Sequence, residues 1–180
     1  AADRNAPPGR RLYPDDAEAA AEARELEREF DERLGPHGRL WMYDGLRGRR
    51  DLAVAYGCTG VPGWERGALR VAYPLLTRAI DRYLGVTPAA AARSLGEVRE
   101  VFGAVARRLD DGRPYLLGER FSAADLTFSA LAASVLMPPE YGVALPQPDE
   151  LPVPVADVVR ELRAHPAGAH AMAMFRSERR

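Results

Sequence analysis

Few residues in this chain have both the type and the spacing to do chemistry. Trp41, Met42 and Tyr43 stand in a row, and Tyr141 lies far downstream. An indole face, a thioether and a phenol suit a flat apolar molecule, and a Tyr hydroxyl can orient a leaving group by hydrogen bond. The plainer alternative, that Trp41 and Tyr43 pack in the core, stays open at this point. Cys58, the single cysteine, could be a nucleophile, but no base stands near it in sequence, which favours an inert thiol. His37, His165 and His170 are too scattered for a metal site and read as surface or capping histidines. Asp15-Asp16 and Asp110-Asp111 point apart on any helix and fall where caps and turns are expected. Gly57-Cys58-Thr59-Gly60 lacks the lysine and the spacing of a phosphate-binding loop.

Asp125 differs because its neighbours bury it. Ser122 followed by Asp125 is a capping-box pattern: the hydroxyl accepts from the N–H of 125, and the carboxylate reaches back to the N–H of 122. Phe121 before the cap and Leu126 after it make the matching hydrophobic staple. The helix from Ala123 to about Met137 has no charge after Asp125 and is apolar nearly all round, as a buried central helix is. The box accounts for this acid as structure, with no catalytic role needed.

The other elements follow from periodicity and breakers. Asp15 caps a first helix with Glu18 closing its box, and the stripe Ala19, Ala23, Leu26, Phe30, Leu34 runs to a stop at Gly35-Pro36. A short helix over 37–47 displays Trp41, Met42 and Tyr43. Residues 44–63, rich in glycine, read mostly as loop. Trp64 to Leu84 is a helix kinked by Pro74, with Leu69, Tyr73, Leu76, Ile80 and Tyr83 or Leu84 inward. Thr87-Pro88 opens a helix to about Leu109 with Leu95, Val98, Phe102 and Val105 inward. After the central helix, 138–152 is a proline-rich loop. Short helices over 154–164 and 167–178 finish the chain, with Arg176, Arg179 and Arg180 set against the last dipole. Nothing alternates as a strand does, so the fold class is all-α, about six to seven helices around one buried helix.

Composition narrows the function. The 180 residues suffice for one core, and a chain of that size needs no second. The net charge of -1 argues against a nucleic-acid footprint. All the basic residues are Arg, which we read as the coding bias of a GC-rich bacterial genome. No apolar run approaches a membrane span, and one cysteine points to a reducing cytoplasm.

Arg113-Pro114-Tyr115-Leu116-Leu117-Gly118, the box after it and Arg163-Ala164-His165-Pro166-Ala167-Gly168 together resemble the C-terminal helical domain of the glutathione transferases. That family carries Tyr-Leu-x-Gly-x-x-Phe-[Ser/Thr]-x-Ala-Asp before a buried helix, and the resemblance extends from Leu12-Tyr13-Pro14 to Phe175-Arg176. It implies that Ala1 to Ala6 end the last helix of a missing thioredoxin-like N-terminal domain. Residues 1–14 are then interdomain linker, and 15–180 the helical domain. Tyr13 and Pro14 would pin that linker at the junction.

The resemblance further implies a homodimer, and a hydrophobic co-substrate site lined by Trp41, Met42, Tyr43 and Tyr141. Glutathione would be co-substrate of the parent enzyme, with no cofactor and no catalytic residue in this chain, which is expected to be inactive alone. A small apolar electrophile is the expected ligand. The alternative is a non-catalytic scaffold, since transferase-like helical domains also serve assembly in translation factors and aminoacyl-tRNA synthetases. An all-α repressor would begin with a basic helix-turn-helix, whereas this chain begins with prolines and an acidic helix.

Overall fold

A computed structural model describes residues 11–58 and 62–178. The readings of Ala1 to Ala6, of Pro7-Pro8-Gly9, and of Arg179 and Arg180 fall outside the described residues. Among those described, every regular element is a helix, and the sole extended pairing is an isolated bridge between Tyr115 and Gly118. The helices are α1 (Ala17–Glu29), α2 (Gly35–Gly45), α3 (Arg50–Gly57), α4 (Gly63–Leu84), α5 (Pro88–Arg108), α6 (Ala123–Leu136), α7 (Val153–Ala164) and α8 (Pro166–Ser177). A single 3-10 turn, Pro139–Tyr141, interrupts the loop after α6.

The first helix departs from expectation at both ends. Its cap is Asp16, whose carboxylate accepts from the Ala19 N–H at 2.8 Å, while Asp15 pairs with Arg11. Gly35-Pro36 does not stop it. A π-turn, Phe30–Leu34, carries α1 straight into α2. The Gly35 N–H bonds back to the Phe30 carbonyl, five residues away, and the chain stays helical through Gly35 and Pro36. Glycine is used here for contact: a Cβ on Gly38 would stand 2.5 Å from Ser134 Oγ, so α2 lies close on α6.

The core gathers around α6. Phe128 is fully buried between Phe30 and Phe102, with ring centroids 5.3 and 5.6 Å away. Such tilted and edge-on pairs add about 1 kcal/mol each beyond their burial. Val98, Val101 and Phe102 of α5, Leu34 of the π-turn, Val159 and Leu162 of α7 and Ala171 of α8 complete the wrap. The helix is not covered all round, however: Leu126 and Ala130 face outward along one edge.

Both ends of α6 are sealed. At the amino end the reciprocal box forms, and its shortest bonds converge on the acid. Asp125 Oδ2 accepts from the Ser122 N–H at 3.0 Å and from the Ser122 hydroxyl at 2.6 Å. At the carboxyl end Arg163 of α7 donates to the Leu136 carbonyl at 2.7 Å, to the Met137 carbonyl at 2.6 Å and to Gln147 Oε1 at 3.0 Å. Burial lowers Arg163 from the ordinary arginine value, with the charge of Glu140 opposing, yet a guanidinium remains protonated in proteins. Arg163→Met keeps the stem and removes every donor. We expect a loss of about 2 kcal/mol, read as a lower urea midpoint with an unchanged slope.

The segment 44–63 is corrected too: α3 occupies much of it, burying Leu52 and Val54. The helix after it is corrected in the opposite sense. No described side chain of α4 is buried; Leu76 is 44% exposed and Tyr83 89%. α4 lies chiefly on α3. Pro74 leaves the Arg70 carbonyl without its in-helix donor, and Arg50 of α3 reaches that oxygen at 3.4 Å.

Candidate functional site

Beneath α4, α2 and α3 leave a cleft of about 320 Å³. Met42, Tyr43 and Leu46 form one wall, Tyr56 of α3 a second, and Tyr73, Leu76 and Ile80 of α4 the roof. Arg47, Arg49 and Asp81 stand at its rim. The cleft exists because α4 is apolar on the face that meets α3 and too loosely seated to fill the space.

Its polar groups have distinct roles. Arg47 bridges Asp81 at 3.3 Å and donates to the Val86 carbonyl at 2.8 Å, tying α2 to the end of α4. Arg49 holds the Asp51 carboxyl at about 2, well under its ordinary value, chiefly through their hydrogen bond. Burial raises the Tyr73 phenol, and the charges of Asp51 and Asp81 push it the same way, so it stays protonated as a donor. The Tyr56 hydroxyl donates to Glu150, which pins α3 to the loop before α7. Tyr43, 38% exposed, brings a second phenol to the wall.

Two further apolar spaces adjoin this one. Met42, Leu46 and Pro146 are shared with a cleft of about 370 Å³ against Leu131, Ser134 and Tyr141. Tyr141 and Ala130 are shared in turn with a groove of about 600 Å³ between Phe121, Leu126, Val143, Met174 and Phe175. The four residues nominated from the sequence are therefore not one lining. Trp41, 7% exposed, packs in the core. Met42 and Tyr43 line the cleft under α4, and Tyr141 divides the other two spaces, its ring 6.0 Å from Phe175. Phe121 and Leu126 border the open groove, with Phe121 edge-on to Tyr115 at 6.0 Å. Tyr56 and Tyr73 were missed as lining, because α3 was read as loop and Tyr73 as core.

The histidines are corrected as well. His165 does cap α8, accepting from the Ala167 N–H at 3.3 Å. His37, however, pairs with Ser94 of α5 at 2.9 Å, joining two helices. His170 Nε2 lies 3.1 Å from Asp125 Oδ1, with only 8% of its side chain exposed. Since a carboxylate is acceptor-only, that nitrogen carries the proton. Oδ1 also accepts from the Leu116 N–H at 2.8 Å. Four donors from the turn at 116, the cap and α8 thus meet one fully buried acid, far more than the box alone.

What the geometry defines is an all-helical bundle built on one buried helix sealed at both ends, with its open apolar space at the flank. Residues 88–160 match the family described as glutathione S-transferase, C-terminal domain, which supports a domain of that kind over this stretch. The match runs through α5, α6 and the box to α7, and stops short of α3 and α4. In that family the domain goes with a partner transferase domain and with dimerisation. Searches among curated proteins and solved structures find no match to the chain. Among the described residues no helix is long and apolar enough to cross a membrane.

Proposed function

We propose that this chain is the acceptor-binding half of a glutathione transferase, holding a small apolar electrophile beside a thioredoxin-like domain that binds glutathione. The observation that carries the proposal is the cleft beneath α4, with a thioether and three phenols in its walls, on a chain whose residues 88–160 match the transferase family. Ring faces supply contact area and the phenols of Tyr43 and Tyr73 supply donors, which suits a flat, electron-poor aromatic that carries a leaving group. Rate enhancement by this half comes from holding the acceptor near the thiolate. The free, buried Cys58 fits a spectator role, and cytoplasmic work suits a lone thiol.

Titration of the labelled chain with a chlorodinitrobenzene, followed by amide chemical shifts, tests the site. Shifts should concentrate at Met42, Tyr43, Tyr73 and Ile80. Tyr43→Ala should weaken binding about fivefold, equivalent to the loss of one ring contact of about 1 kcal/mol. Shifts confined to Phe121, Leu126 and Phe175 would move the site to the other groove and end this assignment.

A further inference from the structure

The backbone of α4 is weakened twice near its middle. Pro74 offers no N–H to the Arg70 carbonyl. Just beyond it, the Thr77 hydroxyl turns back on the helix, donating to the Tyr73 carbonyl at 3.0 Å and to the Pro74 carbonyl at 3.2 Å. A hydroxyl that bonds back in this way favours bending. The two features coincide, so any bend in α4 concentrates at 73–77.

The halves on either side are held very differently. In the carboxyl half Asp81 pairs with Arg47 at 3.3 Å, and Arg47 also donates to the carbonyl of buried Val86 at 2.8 Å. That end is fixed to α2. In the amino half residues 63–68 are all exposed, and only Leu69 and Tyr73 reach the cleft. Among the described residues, the one side chain of another element that bonds to this half is Arg50 of α3, on the Arg70 carbonyl at 3.4 Å. The oxygen it holds is the one Pro74 sets free, and a bond of that length is weak. A segment that buries little and is tied by one long bond opens more readily than its surroundings.

We infer that the half of α4 before Pro74 is a flap, hinged at 73–77 and clasped by Arg50, that swings off the cleft to admit its occupant and closes over it. Opening costs little, because the Arg70 carbonyl and the Arg50 guanidinium both gain water. An occupant adds contacts to Leu69 and Tyr73 and so favours the closed position. The flap's role rests on the cleft being the acceptor site proposed above, but the hinge can be read with no ligand present.

Distances between paired spin labels read the swing directly, in a chain carrying Cys58→Ser so that only introduced thiols react. One label sits on α5 at Arg107→Cys. The other sits on the flap at Arg66→Cys or beyond the hinge at Arg78→Cys, and all three positions are exposed. In the free chain the flap pair should show two populations and the pair beyond the hinge only one. Saturating chlorodinitrobenzene should collapse the flap pair to a single distance. Pro74→Ala restores the missing N–H and should cut the open population about fivefold, the worth of one hydrogen bond. A single distance for the flap pair in the free chain overturns the inference. So does an equal spread for both pairs, which would make α4 move as one rod, and so does binding that leaves the open population in place. If the compound does not bind at all, the acceptor reading fails, and the ligand-free distances decide the flap on their own.

Discussion

Asp125→Ala is expected to remove about 3–5 kcal/mol of stability, most of what a domain of this kind holds in reserve. The carboxylate is fully buried and accepts from the Leu116 N–H, the Ser122 N–H, the Ser122 hydroxyl and His170. Truncation leaves all four donors without a partner and without water. In thermal unfolding the midpoint should fall by about 10 °C for a chain of this length. Asp125→Asn separates the two oxygens. An amide keeps one acceptor, so either the Ser122 pair or the Leu116 and His170 pair remains served. Its loss should fall between that of the parent and that of alanine. Equal losses for Asn and Ala would mean that charge, and not the number of acceptors, is what matters at this position.

Gly168→Ala is the second large effect. A Cβ at this position would stand 1.8 Å from the Leu162 carbonyl oxygen and 2.8 Å from its carbon. Both are backbone atoms at the α7–α8 corner, so no side chain can swing aside. The corner has to open, at a cost of about 3 kcal/mol or more, and α8 shifts away from α6. Because His170 rides on α8, its bond to Asp125 should loosen with it. Joint replacement of 125 and 168 should therefore cost less than the two single losses together. Hydrogen exchange supplies an independent readout: the Leu116 amide should lose protection in Gly168→Ala as well as in Asp125→Ala.

These effects differ in how visible they were from the sequence. The central helix, its box and the all-α class were legible because Ser122, Asp125 and the uninterrupted apolar run are local signals that agree with one another. The wider role of Asp125 was not. Leu116 and His170 reach it from opposite sides in sequence, and nothing in the spacing of a lone histidine announces a buried acid. Arg163 was hidden for the same reason. Gly35-Pro36 misled because the pair is a common stop signal, whereas a π-turn and a tight contact with α6 let the helix run on. The stretch 44–63 misled because its glycines outweighed Leu52 and Val54.

The candidate site was half legible. Met42 and Tyr43 line a cleft, while Trp41 went to the core, as the plainer reading allowed. The rest of the lining depends on α4, whose inner and outer faces are both apolar, so periodicity could not tell which face was covered. Tertiary packing decided it: α3 took the inner face and left the outer one exposed.

The division of labour proposed here is tested most directly by one paired measurement on the chain alone, equilibrium binding and glutathione conjugation of the same chlorodinitrobenzene. The expected result is saturable binding that Tyr43→Ala weakens, with conjugation no faster than in buffer. Conjugation above the buffer rate would place thiol activation within these residues and contradict the account, and absence of any binding would remove the acceptor site on which it stands.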